Sequence, residues 1–405
     1  MSDFRPLFVF GIARSGTNLV AGMLNAHRDV KLALDPLMPF FKALRSAMLN
    51  RRGDRVLIDR FPADCAFQDG YFDLSGVSLL DIIIEGDLNI PLSSSESKML
   101  AQSISTRAAL ESSVVAAALV DTRGDTFEAF LHDLLERVCA HHGRLLQWCG
   151  TKEVWTAEFI PAIAKVWPEA RFVVVRRDPR SVLASLIAML RIDPSQAAHT
   201  VSYMRHWRKE AAVVDHLTSN PLLKNQLLIA RYEDLASDPM EGAKRLHTFL
   251  DLTFDGAMLT PVTADGAVSR GNSSFGDIDG ISRASVEHWR QSLDAATVKT
   301  IECHCGIEML AEGYALDNAP PVMPDAVIAR VVSEADRVPG HWRSDSGQSA
   351  RDLDHEARRW AMLQQLPADL PESEVRQHFL FTSFFEKLRG MAARCDVAAI
   401  AQGSV

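Results

Sequence analysis

The residues of this chain best placed to do chemistry begin with Gly11-Ile12-Ala13-Arg14-Ser15-Gly16-Thr17. Two glycines five apart lie between an apolar run and a helical pattern. That is the shape of a loop whose backbone N–H groups and helix N-terminus converge on a phosphate. A triphosphate-cleaving loop would continue from its second glycine with a lysine and a hydroxyl residue that meets magnesium. Here Thr17 and Asn18 follow Gly16, and the cation sits earlier, at Arg14. The residues therefore describe an oxyanion cradle in which Arg14 neutralises charge and Ser15 and Thr17 donate. The competing reading is a glycine turn that only joins a strand to a helix.

A second cluster, Arg176-Arg177-Asp178-Pro179-Arg180, follows the apolar run Arg171–Val175, and Ser185 stands eight residues after Arg177. A guanidinium fork suits a phosphate bidentately, and a serine two turns into the next helix can add a hydroxyl. The plainer reading is a solvated, salt-bridged turn made by Arg177, Asp178 and Arg180.

These residues need elements to hold them. Leu7–Phe10 reads as a short buried strand ended by Gly11, and Leu19, Val20, Met23 and Leu24 recur at helical spacing. The same strand–turn–helix pattern returns at Arg171–Val175 with a helix from about Pro179 to Leu190. It returns again at Gln226–Ile229 with a helix from Pro239 to about Leu250, Asp238 serving as its N-cap. Strands alternating with helices predict a parallel sheet covered on both faces. Residues of about 36–150 read as a mostly helical insertion, with amphipathic stretches at Phe40–Leu49 and Thr126–Ala140. After a linker at Asp317–Pro321, amphipathic helices are expected over Asp352–Leu366 and Glu372–Met391. The expected division is 1–316 for the α/β domain and 322–405 for a helical extension.

Composition narrows the function. A formal net charge of −9 argues against a general nucleic-acid binder. The first residues lack the charged and apolar regions of a signal peptide, and the sequence offers no run of 18 apolar residues, which predicts a cytoplasmic protein without a membrane span. The six cysteines read as reduced. Cys303-His304-Cys305 has no second ligand pair at zinc-like spacing, so no metal is expected.

Taken in order, these blocks resemble the sulfotransferases that use 3′-phosphoadenosine 5′-phosphosulfate (PAPS), in the branch of the tyrosylprotein and related bacterial enzymes. Arg14-Ser15-Gly16-Thr17 is similar to that family's 5′-phosphosulfate loop, and Arg177 with Ser185 to its 3′-phosphate pair. Arg231-Tyr232-Glu233-Asp234-Leu235 resembles its strand-end motif, with a mainly structural role. Arg270-Gly271-Asn272-Ser273-Ser274-Phe275 and Ser285–Arg290 resemble its late loop and helix. The resemblance spans roughly residues 7–315 in separated blocks. It implies an α/β, P-loop-like three-layer fold, a central parallel sheet flanked by helices. It also implies PAPS as donor, released as 3′-phosphoadenosine 5′-phosphate (PAP), held by Arg14, Ser15, Gly16, Thr17, Asn18, Arg177, Ser185, Arg270, Ser273 and Ser274.

In that branch the general base is a glutamate shortly after the first helix. Asn25–Val30 matches the helix end, and five residues later stands Asp35, implied as the base. It departs from the family's glutamate, so its shorter side chain requires a shifted backbone or a water. Asp35 could instead cap a helix beginning near Pro36. His27 is the other residue suited to base work, although its place at a helix end favours a structural role. Lys152, in Gly150-Thr151-Lys152-Glu153, matches the family lysine that stabilises the bridging oxygen, with Arg14 as a further catalytic cation. The alternative is a surface lysine paired with Glu153. Rival functions are a P-loop nucleotide kinase and a PAP-binding member of the fold without catalysis. The acceptor is read as a small-molecule or lipophilic hydroxyl compound. Phe40, Phe41, Phe61, Phe67 and Phe72 are read first as core and second as the lining of its pocket. The sequence leaves the oligomeric state open, a homodimer included.

Overall fold

Strands from five separate stretches of the sequence pair, all in parallel, in the order β2-β3-β1-β4-β5. They are β1 (Arg5–Gly11), β2 (Val30–Leu34), β3 (Trp148–Val154), β4 (Arg171–Arg176) and β5 (Leu227–Arg231). The computed structural model describes residues 4–67, 70–140, 146–190, 198–269, 281–318, 348–364 and 370–402.

Helices fill the connections. β1 leads into α1 (Thr17–Ala26), and β2 into α2 (Met38–Arg52), α3 (Arg55–Arg60), α4 (Leu74–Glu85), α5 (Ser94–Ala108), α6 (Ser113–Leu119) and α7 (Phe127–Ala140). After β3 comes α8 (Ile160–Val166), and after β4 come α9 (Pro179–Leu190) and α10 (Ala198–Ser219). β5 is followed by α11 (Tyr232–Ser237), α12 (Pro239–Leu250), α13 (Trp289–Ser292) and α14 (Ala295–Ala311). The C-terminal part holds α15 (Gln348–Gln364), α16 (Glu372–Phe379) and α17 (Thr382–Gln402).

The sheet is covered on both faces, which makes three layers. Leu7, Val9, Val173 and Val175 pack with Val20, Met23 and Leu24 of α1 and with Leu246 and Leu250 of α12. On the opposite face Phe8 stacks on Phe172, and Phe10 meets Phe41 of α2, which in turn meets Phe159. Period-two alternation along buried strands produces these two apolar faces. Asp238 accepts from the Glu241 N–H at 3.0 Å, as the N-cap reading of α12 requires.

Several expectations change. β2 and β3 were not legible as strands. Lys31 interrupts the first, and the consecutive Thr151, Lys152 and Glu153 make the end of the second polar although each is buried. The stretch Glu372–Met391 is two helices, because Leu380 takes φ 67° and ends α16. Cys139 and Cys149 are joined in a disulfide, contrary to the reduced reading, because the end of α7 and β3 bring their Cα atoms to 5.9 Å.

The chain forms two compact units: residues 1–67, 78–177 and 217–286, and residues 68–77, 178–216 and 287–405. The first contains the whole sheet. The second gathers α9, most of α10, α13, α14 and the C-terminal helices.

Candidate active site

In an open parallel sheet, ligands bind beyond the carboxyl ends of the strands, where the chain order diverges to either side. Here β1 is that divide, flanked by β3 and β4. Four of the stretches singled out above lie at or just beyond these ends in the first unit. The Arg14–Asn18 loop follows β1, Asp35 follows β2, Lys152 is near the end of β3 and Arg177 follows β4.

The loop after β1 fits an anion. Ser15 is fully buried, and its Oγ has no hydrogen-bond partner among the described residues. Gly16, at φ 100°, stands at the start of α1, which has no side-chain cap to take its first N–H groups. A Cβ on Gly16 would collide with the Tyr232 ring, and one on Gly11 would press on Ser15 Oγ, Thr17 and the Val175 carbonyl. Close approach therefore dictates both glycines, and at Gly16 the left-handed backbone does so as well. Arg14 itself adopts φ 70°. Thr17 is buried and Asn18 half-buried in the first turn of α1.

Arg177 ties this loop to the other side of β1. Its Nη1 donates to the Arg14 carbonyl at 3.0 Å and its Nη2 to the Ser285 carbonyl at 2.9 Å. The guanidinium lies over the Tyr232 ring, 4.0 Å from its centre, and the Tyr232 hydroxyl meets Ser285 Oγ at 2.5 Å. Burial, and then the neighbouring Arg177, lower the Arg14 guanidinium to about 10, against the opposing pull of Tyr232. Two crowded, partly desolvated cations beside an unpartnered hydroxyl form a donor set that a bound anion would relieve. Tyr232 organises both Gly16 and Arg177. It belongs to the Arg231–Leu235 strand-end motif that the sequence marked as mainly structural.

Asp35 and Lys152 meet. Lys152 Nζ donates to Asp35 Oδ2 in an ion pair whose lysine is almost wholly buried. This removes the surface-lysine reading. Asp35 does not cap α2, whose N-cap is Leu37 without a side-chain bond. Its backbone adopts φ 52° and is fixed from both directions. The Asp35 N–H donates to the Lys152 carbonyl at 2.7 Å, and Arg107 Nε donates to the Asp35 carbonyl at 2.7 Å. Glu153 fastens the following turn by accepting the Leu37 N–H at 3.0 Å. Burial, and then the charge of Asp35, raise the Glu153 carboxyl well above the usual range. Asp35 Oδ1 has no hydrogen-bond partner among the described residues. His27 is buried, its Nδ1 accepting the Asp29 N–H and its Nε2 facing the Thr253 carbonyl, so it is structural.

Ser185 is buried on the second turn of α9, in the second unit. Arg180, in the same unit, is buried rather than solvated: it pairs with Asp178 and Glu302 and lies over Trp289. Arg270, Ser273 and Ser274 lie outside the described residues.

Residues 87–256 match the model of the "Sulfotransferase family". Over that stretch, 170 of the 405 residues, the chain is similar to sulfotransferases. It is 28% identical over 144 residues to a Caenorhabditis elegans protein provisionally named a protein-tyrosine sulfotransferase, covering 35% of this chain and 55% of that one. A Caenorhabditis briggsae protein with the same provisional name is 24% identical over 262 residues, 64% of this chain and 70% of its own length. Among solved structures, the sulfotransferase domain of the Synechococcus PCC 7002 olefin synthase aligns with 78% of this chain and 97% of its own, at 16% identity and a TM-score of 0.44. The chain thus spans a little over half the length of the C. elegans relative. Among the described residues, no helix is long and apolar enough to cross a membrane.

Proposed function

We propose that this protein transfers a sulfuryl group from PAPS to an acceptor hydroxyl. The observation that carries the reading is one convergence. Arg14, the unpartnered Ser15 hydroxyl and Arg177 meet beyond β1 and β4, while an Asp35–Lys152 pair stands beyond β2 and β3. When bound, PAPS supplies an activated sulfuryl group: the acceptor oxygen bonds to sulfur, the bond to the 5′-phosphate oxygen breaks, and that oxygen keeps the electron pair in PAP.

Arg14, Ser15, Gly16, Thr17 and Asn18 hold the 5′ end, with N–H groups and a hydroxyl already aimed before any ligand arrives. The resemblance assigns the 3′-phosphate to Arg177 and Ser185 and gives Arg270, Ser273 and Ser274 to the same donor. Asp35 Oδ1 receives the acceptor's proton and returns it to solvent. Lys152 orients the carboxylate through Oδ2 and places positive charge where the leaving oxygen gains it. The departure from glutamate is met by the left-handed backbone at Asp35, which supports the shifted-backbone alternative. No residue in this scheme requires magnesium.

The test is transfer of labelled sulfate from PAPS to a panel of alcohols, phenols, sugars and a tyrosine peptide, the last because the nematode relatives are named for protein tyrosine. Asp35→Asn is expected to lower kcat by about 10²–10⁴ while PAP binding persists. A variant as fast as the wild type would remove Asp35 from the reaction.

A further inference from the structure

A groove of about 970 Å³ opens in the first unit between α2 and α5, closed on its third side by Asn89–Leu92 and Phe127. We propose that it seats the apolar tail of an amphiphilic acceptor whose hydroxyl points at Asp35. This assignment rests on the transfer reading above and adds the substrate class.

The walls are two helical stripes. On α2 the half-buried Pro39, Lys42, Ala43, Ser46 and Ala47 follow one another at helical spacing, and the small side chains of Ala43, Ser46 and Ala47 keep the groove open. The other face of α2 (Phe40, Phe41, Leu44, Met48) is core, as are Phe61 and Phe67, so these phenylalanines do not line the groove. On α5 the stripe is Glu96, Met99, Leu100 and Ser103. One turn further along the same face stands Arg107, whose Nε holds the Asp35 carbonyl at 2.7 Å. Pro39, four residues after Asp35, closes the same end from α2. That end of the groove is therefore the one directed toward the candidate base, although Asp35 and Arg107 lie just outside its lining. From Pro39 to Arg51 the α2 wall runs about 18 Å at 1.5 Å per residue.

Apart from Asn50 and Asn89, the polar groups along the walls already have partners within the protein. Ser46 Oγ donates to the Lys42 carbonyl and Ser103 Oγ to the Met99 carbonyl, each at 3.0 Å. Lys42 Nζ donates to the Asp64 carbonyl at 2.5 Å, Arg51 pairs with Asp87 at 3.6 Å, and Glu96 closes the capping box with Ser93. The apolar contact surface includes Ala43, Ala47, Met99 and Leu100, with Met99 64% exposed and able to adapt its shape. An oligosaccharide would need an aromatic platform and fixed polar partners, yet the one aromatic in the lining, Phe127, is only 2% exposed. An extended peptide would need a strand edge, and the two long walls are helices whose backbones are bonded internally. An apolar chain needs neither, and pockets of this kind gain affinity from buried apolar area.

The test uses 1-butanol, 1-hexanol, 1-octanol and 1-decanol as acceptors with PAPS. The expected kcat/KM rises two- to fourfold per methylene, about the value of burying one CH₂. Ala47→Phe, which fills the middle of the groove, is expected to flatten that rise, whereas Ala47→Ser preserves it. Binding of the same alcohols is also measured by titration without donor. A flat series with sulfation intact would overturn the groove and leave the transfer reading standing, as would a tyrosine peptide or oligosaccharide sulfated faster than 1-decanol. If neither PAPS nor PAP binds, the transfer reading fails, and the donor-free alcohol titration alone decides the groove.

Discussion

Asp35 is held in the left-handed region by bonds it does not itself specify: the Lys152 carbonyl takes its N–H and Arg107 donates to its carbonyl. Such conformations persist where surrounding structure over-determines them, and they cluster at functional sites. Glu153 belongs to the same fixture, and its ionisation is costly. Burial first, and then Asp35, raise its folded value well above 4.5, whereas in the unfolded chain the carboxyl ionises near that value. Between the two values the folded state holds the extra proton, so this group's contribution falls as pH rises through the interval. Glu153→Gln keeps an oxygen to accept the Leu37 N–H and cannot ionise. The variant should therefore melt higher than wild type at pH 8, with the gain gone at pH 4. Equal gains at both pH values would contradict the argument. At this scale the sequence was informative where spacing is local. The Arg14 loop and Arg177 stand in short runs whose residue types match an anion's needs. The Asp35–Lys152 contact joins positions 117 apart, and no spacing rule reports it.

α5 and β3 matter more than their sequences advertise. β3 sits beside β1 in the sheet and carries Lys152, yet Thr151-Lys152-Glu153 reads as polar because its burial is imposed by the neighbouring strands and helices. Tertiary context overrides pattern in such strands. The β1, β4 and β5 strands were legible because apolar runs between glycine, proline and charged turns have few other uses. α5 brings Arg107 to Asp35 from its last turn. Arg107→Ala is expected to lower kcat by roughly tenfold or more, the loss of a hydrogen bond from a charged donor, with the KM for PAPS changed little. Arg107→Lys should restore part of the rate. Loss of PAP affinity in parallel with rate would instead make Arg107 part of the donor site.

The two units differ in the charge they bury. The first has the layered apolar core of an α/β sheet. The second buries a charge network in which Glu356 takes Arg208 through both guanidinium nitrogens, at 2.5 and 2.7 Å, with Arg205 and His304 each at 3.3 Å, while Arg359 pairs with Glu308. Burial pushes the Glu356 carboxyl up, but Arg208 outweighs it and holds the group well below the usual range. Glu356→Gln would leave buried arginines without their counter-charge and should cost about 3–5 kcal/mol in a urea melt at neutral pH. A change under about 0.5 kcal/mol, the size usual at ordinary surface sites, would contradict the network's role. For the molecule as a whole, a net charge of −9 makes any anion site a local achievement of placed cations rather than of the overall field. The most direct test is therefore calorimetric titration with PAP, free of magnesium, on the wild type, Arg14→Ala and Arg177→Ala, alongside ATP with magnesium. The account predicts PAP binding without metal, weakened about tenfold or more in each variant. Binding of ATP–magnesium with no response to PAP would contradict it.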